Sequence, residues 1–513
     1  MANFDLSSLA LKSVCPNNEI FVDDADLPSV MVYIPKFKNS DVLTGGNDST
    51  HPAFIVNGQE IPGFWYSKYQ NVVHTTQLTD GSIAAAYSLP GEDPTASINF
   101  DTARSRCEAK GAGWHLSTNA EWAAIALWCK KNGFMPYGNN NYGKDTRESN
   151  YKAIPTSFYG PDSDQPEGTT ARVATGTGPL TWSHDKTLSG IWDLNGNVWE
   201  WQGGIRLVWG ELQILANNDA ADPDNPQNTT SVRWKAINAA DGSLVEPECE
   251  VGDSSATLSG STVKLDYVSG AWQWTTTVAS SQDTSRSCAF GKVTAAAAVG
   301  EAAKILLRSL ALLPDEGAQE ADYEGDYFWW NNGAAERCVF RGGGWLSGAY
   351  AGVFSLNGYD SRSDVNTSFG FRSALVRYSG DSGDLDHLDD DHTDLSGAPD
   401  KLKTTIKENA DKLNQRDGAK SWPFPLPETL PGVVKLMLTK VLTEIYTAAG
   451  GKDLLTFEKM AYNASDEEIK ETLRIASQLA QLNIAVNAMR QAFEQTKLAM
   501  TTSITIKKEG DHE

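Results

Sequence analysis

The chain has 513 residues, more than one hydrophobic core usually spans, so two or three domains are expected. No apolar run approaches the ~20 residues a membrane span needs, and the N-terminal MANFDLSSLALKSVCPNN lacks the basic start and apolar core of a secretory signal; neither membrane insertion nor a signal peptide is expected. With 43 Lys and Arg against 66 Asp and Glu, the net charge of −23 argues against nucleic acid or an anionic membrane as the main partner.

Residues 1–95 form an N-terminal β-rich segment: SVMVYIPKF (29–37), AFIVNGQEI (53–61) and FWYSKY (64–69) read as strands between Gly, Asn and Pro, and no helix is expected there. From Asn99 the period changes. NFDTARSRCEAKG fits a helix stopped by Gly111. In STNAEWAAIALWCKKNG, Thr118 and Glu121 make a capping box. Trp122, Ile125, Ala126 and Cys129 follow a helical stripe, and Gly133 ends it. Residues 134–378 turn rich in Gly, Asn, Asp, Ser and Trp, except for an alanine-rich stretch near 294–313 that reads as helix. Residues 379–400 are an acidic linker without Lys or Arg, composed to stay solvated. Residues 401–513 then read as a helical domain with a long helix at about 466–502. There Ile475, Leu479, Leu482, Val486, Met489, Phe493, Thr496 and Met500 alternate steps of four and three, a heptad seam that fits either packing within the chain or homo-oligomerisation. The six cysteines (15, 107, 129, 249, 288, 338) are too widely spaced for a zinc site and too few for a disulfide scaffold, so buried reduced thiols are expected.

Three motifs carry the most information: GWHLSTNAEW (113–122), GIWDLNGNVWEW (190–201) and CVFRGGGWLSGAYAGVFSLNGYDSRSDVNTSFGFRSAL (338–375). In that order they resemble the sulfatase-modifying-factor branch of the C-type lectin fold, the family of the formylglycine-generating enzyme, over roughly residues 30–378. The resemblance implies an α+β fold, a C-type lectin domain at 96–378 of the formylglycine-generating-enzyme type with two helices and short twisted strands. A long insertion at about 204–337 contains strand-like VRWKAINAADGSLV and AWQWTTTV, and a C-terminal α-helical domain follows.

The enzymes of that family hold copper through cysteine thiolates just after the RGG-type motif, a soft ligand suited to Cu(I). Here Arg341 to Trp345 precede Leu346, Ser347, Gly348, Ala349 and Tyr350, and no cysteine occurs from 339 to 513. The chain is therefore expected not to be an enzyme and to require no cofactor. Related iron-dependent sulfoxide synthases need a histidine cluster, whereas the seven His (51, 74, 115, 184, 387, 392, 512) are scattered. A metal-dependent oxidase or sulfoxide synthase stays as the enzymatic alternative. Family members also bind calcium, a hard cation that takes six to eight oxygens, at the DLNGNVWE motif. Carried over by position, a structural calcium would be held by the side chains of Asp193 and Glu200 and the carbonyls of Gly196 and Val198. Read from the residues alone, the same segment is an Asn-Gly turn with Trp192, Trp199 and Trp201 in the core.

The third motif alternates framework (RGGGW, AGVFSLN, GFRSAL) with positions of no common chemistry: Leu346, Ser347, Tyr350, Tyr359, Asp360, Asp364, Asn366, Thr367 and Ser368. This pattern, at about 341–375, resembles the variable region of diversity-generating-retroelement proteins of tailed bacteriophages. In these, mutagenesis of Asn codons scatters side chains over a lectin surface. The resemblance implies a non-catalytic receptor-binding protein on a phage tail, hence a virion location. Its ligand would be a bacterial surface protein or glycan, and its neighbours other virion proteins. Copies would join through the C-terminal helices, a trimer by analogy with phage fibres. Tyr350 and Tyr359 are the expected hot spots, and Trp345, Phe354, Phe369 and Phe371 the expected core. A structural virion protein, in which the lectin domain only packs, is the other alternative.

Overall fold

The computed structural model describes residues 17–377, apart from 79, 80, 151 and 162, together with Leu11 and Cys15. The acidic linker, the helical domain and its heptad seam lie outside the described residues. Cys15–Arg377 cluster in one compact unit of mixed α and β structure.

The helices form where their caps dictate. Phe100–Glu108 starts at Asn99, whose side chain accepts from the Thr102 amide. Asn119–Asn132 has the reciprocal Thr118–Glu121 box and ends at Gly133 in the left-handed region. The alanine-rich stretch is helical only over Glu301–Ser309. Its first residues, Thr294–Ala295, pair instead in parallel with Gln273 and Trp274, so sheet pairing overrides alanine's helix propensity. Nor is the N-terminal segment free of helix: one turn at Asn39–Val42 is capped by the Asp41 carboxylate, and a 3-10 turn at Pro52–Phe54 by the His51 ring. Residues 53–61 are not one strand either. Asn57 and Gly58 take φ of 50° and 74°, the values a tight hairpin turn requires, and fold Ile55–Val56 back onto Gln59–Glu60.

Two sheets organise the unit. The first has five antiparallel strands in the order Asn18–Val22, Pro28–Pro35, Gly63–Ser67, Ser373–Leu375, Trp114–Leu116. Ala374 pairs with both Tyr66 and His115, so the last described strand closes the sheet between early ones. The second has twelve strands. Its centre runs Tyr327–Trp330, Gly352–Gly358, Arg337–Gly342, Trp199–Val208, and strands from residues 211–277 extend it. Against it, Phe100–Glu108 buries a core of Phe100, Trp199, Trp201, Cys338, Phe340, Phe369 and Phe371. The Trp201 and Phe340 rings lie 3.6 Å apart, and truncating such a ring to Ala costs ~3–5 kcal/mol.

Candidate functional site

The RGGGW framework is built from a buried cation. Arg341 is fully buried and donates to Asn119 Oδ1 at 2.8 and 3.0 Å and to the carbonyls of Leu310 and Ala311 at 3.1 Å. Burial pushes its guanidinium down to about 9, against the pull of Asp326. The residue thus bolts the strand to the start of one helix and the end of another. Gly343 has φ of 92°, and a Cβ there would come 2.4 Å from that of Ala351. Trp345 is buried, with Nε1 donating to the Tyr159 hydroxyl at 3.0 Å. Phe354, Phe369 and Phe371 are buried as well, as expected of core residues.

The positions between them divide differently. Leu346, Tyr350, Tyr359, Asp364, Asn366 and Thr367 are exposed, and Ser347 and Asp360 half-buried. They sit on turns at either end of the buried strand Gly352–Gly358. Tyr350 closes the 3-10 turn Gly348–Tyr350, while the Asp364 carboxylate accepts from the Ser361 amide at 2.8 Å and shapes the second turn. Asp360 is pushed up to about 6, first by burial and then by the neighbouring Asp364. Two serines depart from expectation. Ser368 is 8% exposed, its hydroxyl and amide both donate to Asn366 Oδ1 at 3.1 Å, and its carbonyl accepts from the Trp199 amide. Ser347 Oγ accepts from the Gly344 amide at 3.0 Å. Both hold the framework. Sequence reasoning also passed over Val365, 55% exposed, although a β-branched aliphatic inside a polar turn signals an exposed apolar contact.

Three of the four groups assigned to calcium, Gly196, Val198 and Glu200, turn the assigned oxygen to one point, but the amide nitrogen of Gln70 fills it. Gln70 Nε2 lies 3.2, 3.3 and 3.0 Å from the carbonyls of Asp193, Gly196 and Val198 and 3.0 Å from Glu200 Oε1. Asp193 therefore turns its carbonyl, not its carboxylate, to the centre. Its carboxylate accepts from the Gly176 amide at 2.8 Å, its other oxygen has no partner, and burial pushes the group up to about 6. Glu200 is further engaged by Arg372, which donates to both its oxygens at 2.8 Å. A cation enters only if Gln70 leaves, so the residues as arranged do not fit a resident calcium. Gln70 was invisible to the motif because it lies on a connection far upstream of it.

Cys338 faces the core beside Phe340, and burial pushes its thiol up. All six cysteines are buried and free. His51, His115 and His184 are each buried and hydrogen-bonded separately, to Ser309, Glu121 and Ile191. Among the described residues no group of three or more His, Cys, Asp or Glu is placed to hold a metal ion, and no helix is long and apolar enough to cross a membrane.

No family model matches the chain, and no curated protein is similar to it. Among solved structures, the Major Tropism Determinant U1, P3c and M1 variants are similar at 12%, 11% and 12% identity, over 70% of this chain and 71% of theirs. Their TM-scores are 0.22, 0.22 and 0.23, a size that does not establish a common fold, so the site is read from its own residues.

Proposed function

We propose that this chain is a non-catalytic receptor-binding protein that presents a diversified surface on a C-type lectin scaffold, carried on a phage tail for attachment to the host. One observation carries the reading: six of the nine positions without common chemistry are exposed on the turns at the two ends of the strand Gly352–Gly358, while the framework interleaved with them is buried. A rigid scaffold of this kind lets side chains change without reordering the loops that hold them. Tyr and Asn, which fill three of the six exposed positions, are residues that binding loops favour. The partner is a protein or glycan of the bacterial surface. Few positions make a small patch, so useful binding needs several copies, and the heptad segment supplies the join, with a trimer favoured. The test replaces the six exposed residues together. Binding to host cells should vanish or change target while the melting temperature stays within a few degrees of wild type. Unchanged host binding overturns the proposal.

A further inference from the structure

Next to the two turns stands an aromatic cluster outside the region of variable character. In the strand Tyr327–Trp330 the residues alternate: Phe328 and Trp330 are buried, Tyr327 and Trp329 partly exposed. The Tyr327 ring lies 4.1 Å from that of Tyr350 and 5.1 Å from Trp329, and Trp329 lies 6.1 Å from Tyr350. From beneath, the buried Trp199 meets Trp329 edge-on at 5.7 Å. Across the parallel pairing Trp329 sits opposite Asn357, so the two side chains share a face. Asn357 in turn reaches the start of the second turn, with Oδ1 accepting from the Tyr359 amide at 2.8 Å and Nδ2 donating to Asp360 at 3.4 Å. Trp329 therefore lies between the two groups of display positions, on a strand that does not belong to them.

The charges around this platform are one-sided. Nearby cations are already matched, Arg337 to Asp283, Arg362 to Glu336 and Asp101, and Lys292 to Glu320. Asp360 and Asp364 form no ion pair within 4 Å among the described residues and are held by hydrogen bonds from neutral groups, although Arg337 stands near enough to Asp360 to draw its carboxyl down. Partly exposed aromatic rings, tilted against one another, beside carboxylates that form no ion pair attract a planar cation with an apolar stem, and arginine satisfies both parts at once. We infer that Tyr327 and Trp329 form a constant aromatic anchor at the centre of the binding face, which takes an arginine side chain of a protein partner between Trp329, Tyr350 and the Asp360–Asp364 pair. The inference rests on the receptor-binding reading and narrows its ligand to a protein with a protruding arginine.

The test is a 19F NMR titration of the 5-fluorotryptophan-labelled full chain with N-acetylarginine amide, the Trp329 resonance being identified by its loss in Trp329→Phe. A saturable shift of that resonance is expected. N-acetylglutamine amide and methyl glucoside should leave it in place. In Asp360→Asn with Asp364→Asn the affinity should fall about tenfold, because the guanidinium keeps the ring faces but no longer meets a negative charge beside them. Asp224→Asn with Glu246→Gln, which changes net charge equally at exposed sites elsewhere, should not alter it. No shift with arginine, a shift with the glucoside instead, or equal weakening by the control pair overturns the anchor. If arginine fails while the six-residue replacement still abolishes host binding, only the anchor falls. If arginine binds while that replacement leaves host binding intact, the receptor-binding reading falls instead.

Discussion

At Gln70 one amide group replaces what a cation would do. Its two N–H bonds are shared among four inward-facing oxygens, three backbone carbonyls and a Glu200 oxygen that Arg372 also reaches. Removing it should therefore be costly. Gln70→Leu is expected to lose roughly 3 kcal/mol or more, since each orphaned buried acceptor costs about 1–3 kcal/mol. Calcium and EDTA should leave the wild-type melting temperature unchanged in differential scanning calorimetry. A rise with calcium would show that the ion displaces Gln70 and that the motif works as its resemblance implied. His51 gives a second prediction at this scale. Its Nδ1 accepts from the Ala53 amide and its Nε2 donates to the Ser309 carbonyl, so the ring is buried neutral, and burial pushes it from 6.5 down to about 4. On acidification the unfolded chain binds this proton first. The stability this ring contributes is thus present above pH 6.5 and lost as the pH falls toward 4, by about 3 kcal/mol in all. His51→Asn should be less stable than wild type at pH 7, and the gap should close by about that amount by pH 4, measured by urea unfolding. A gap independent of pH would show that the imidazole is not held neutral.

The turns and the strand between them should answer differently to the same change. Trp345→Ala empties a closed site and should cost ~3–5 kcal/mol. Tyr359→Ala, at 42% exposure, should stay within about 0.5 kcal/mol of wild type, and Tyr350→Ala should lose about 1 kcal/mol because its ring rests on Tyr327. Host binding should fall in both tyrosine variants. Tyrosine variants as unstable as Trp345→Ala, with binding intact, would place the display face in the interior. At this scale the sequence was legible where local chemistry decides. The Thr118–Glu121 box and Gly133 mark both ends of their helix because caps are written within a few residues of the ends they satisfy. The Asn57–Gly58 hairpin was written as plainly and was passed over within an apolar run. The roles of Ser347 and Ser368 were not legible, because a serine that hydrogen-bonds its own neighbours has the same composition as one that faces a ligand.

Across the whole molecule, what eluded the sequence is what distant strands bring together. Gln70 meets Glu200 and Trp329 meets Asn357 through pairings without a turn or cap to announce them, and a parallel pair such as Tyr327–Trp330 with Gly352–Gly358 has no hairpin between its strands. The order of the three motifs was enough to anticipate a mixed α and β unit. It was not enough to find the ring cluster of Tyr327, Trp329 and Tyr350 or the Gln70 amide among the oxygens of the second motif. The heptad pattern in the sequence beyond residue 400 raises the remaining question at this scale, how many copies act together. Val486 and Met489 lie at the middle of the heptad seam. If the seam joins copies, Val486→Asp with Met489→Asp should convert an oligomer to a monomer in light scattering, because a buried unpaired carboxylate costs several kcal/mol. The same variant should lose host-cell binding by about a hundredfold, since linked weak sites gain that much from acting together. Its response to N-acetylarginine amide should stay that of wild type, because the binding face of each copy is untouched. A wild-type monomer at micromolar concentration would assign the seam to packing within one chain, and the strength of attachment would then have to come from a single face.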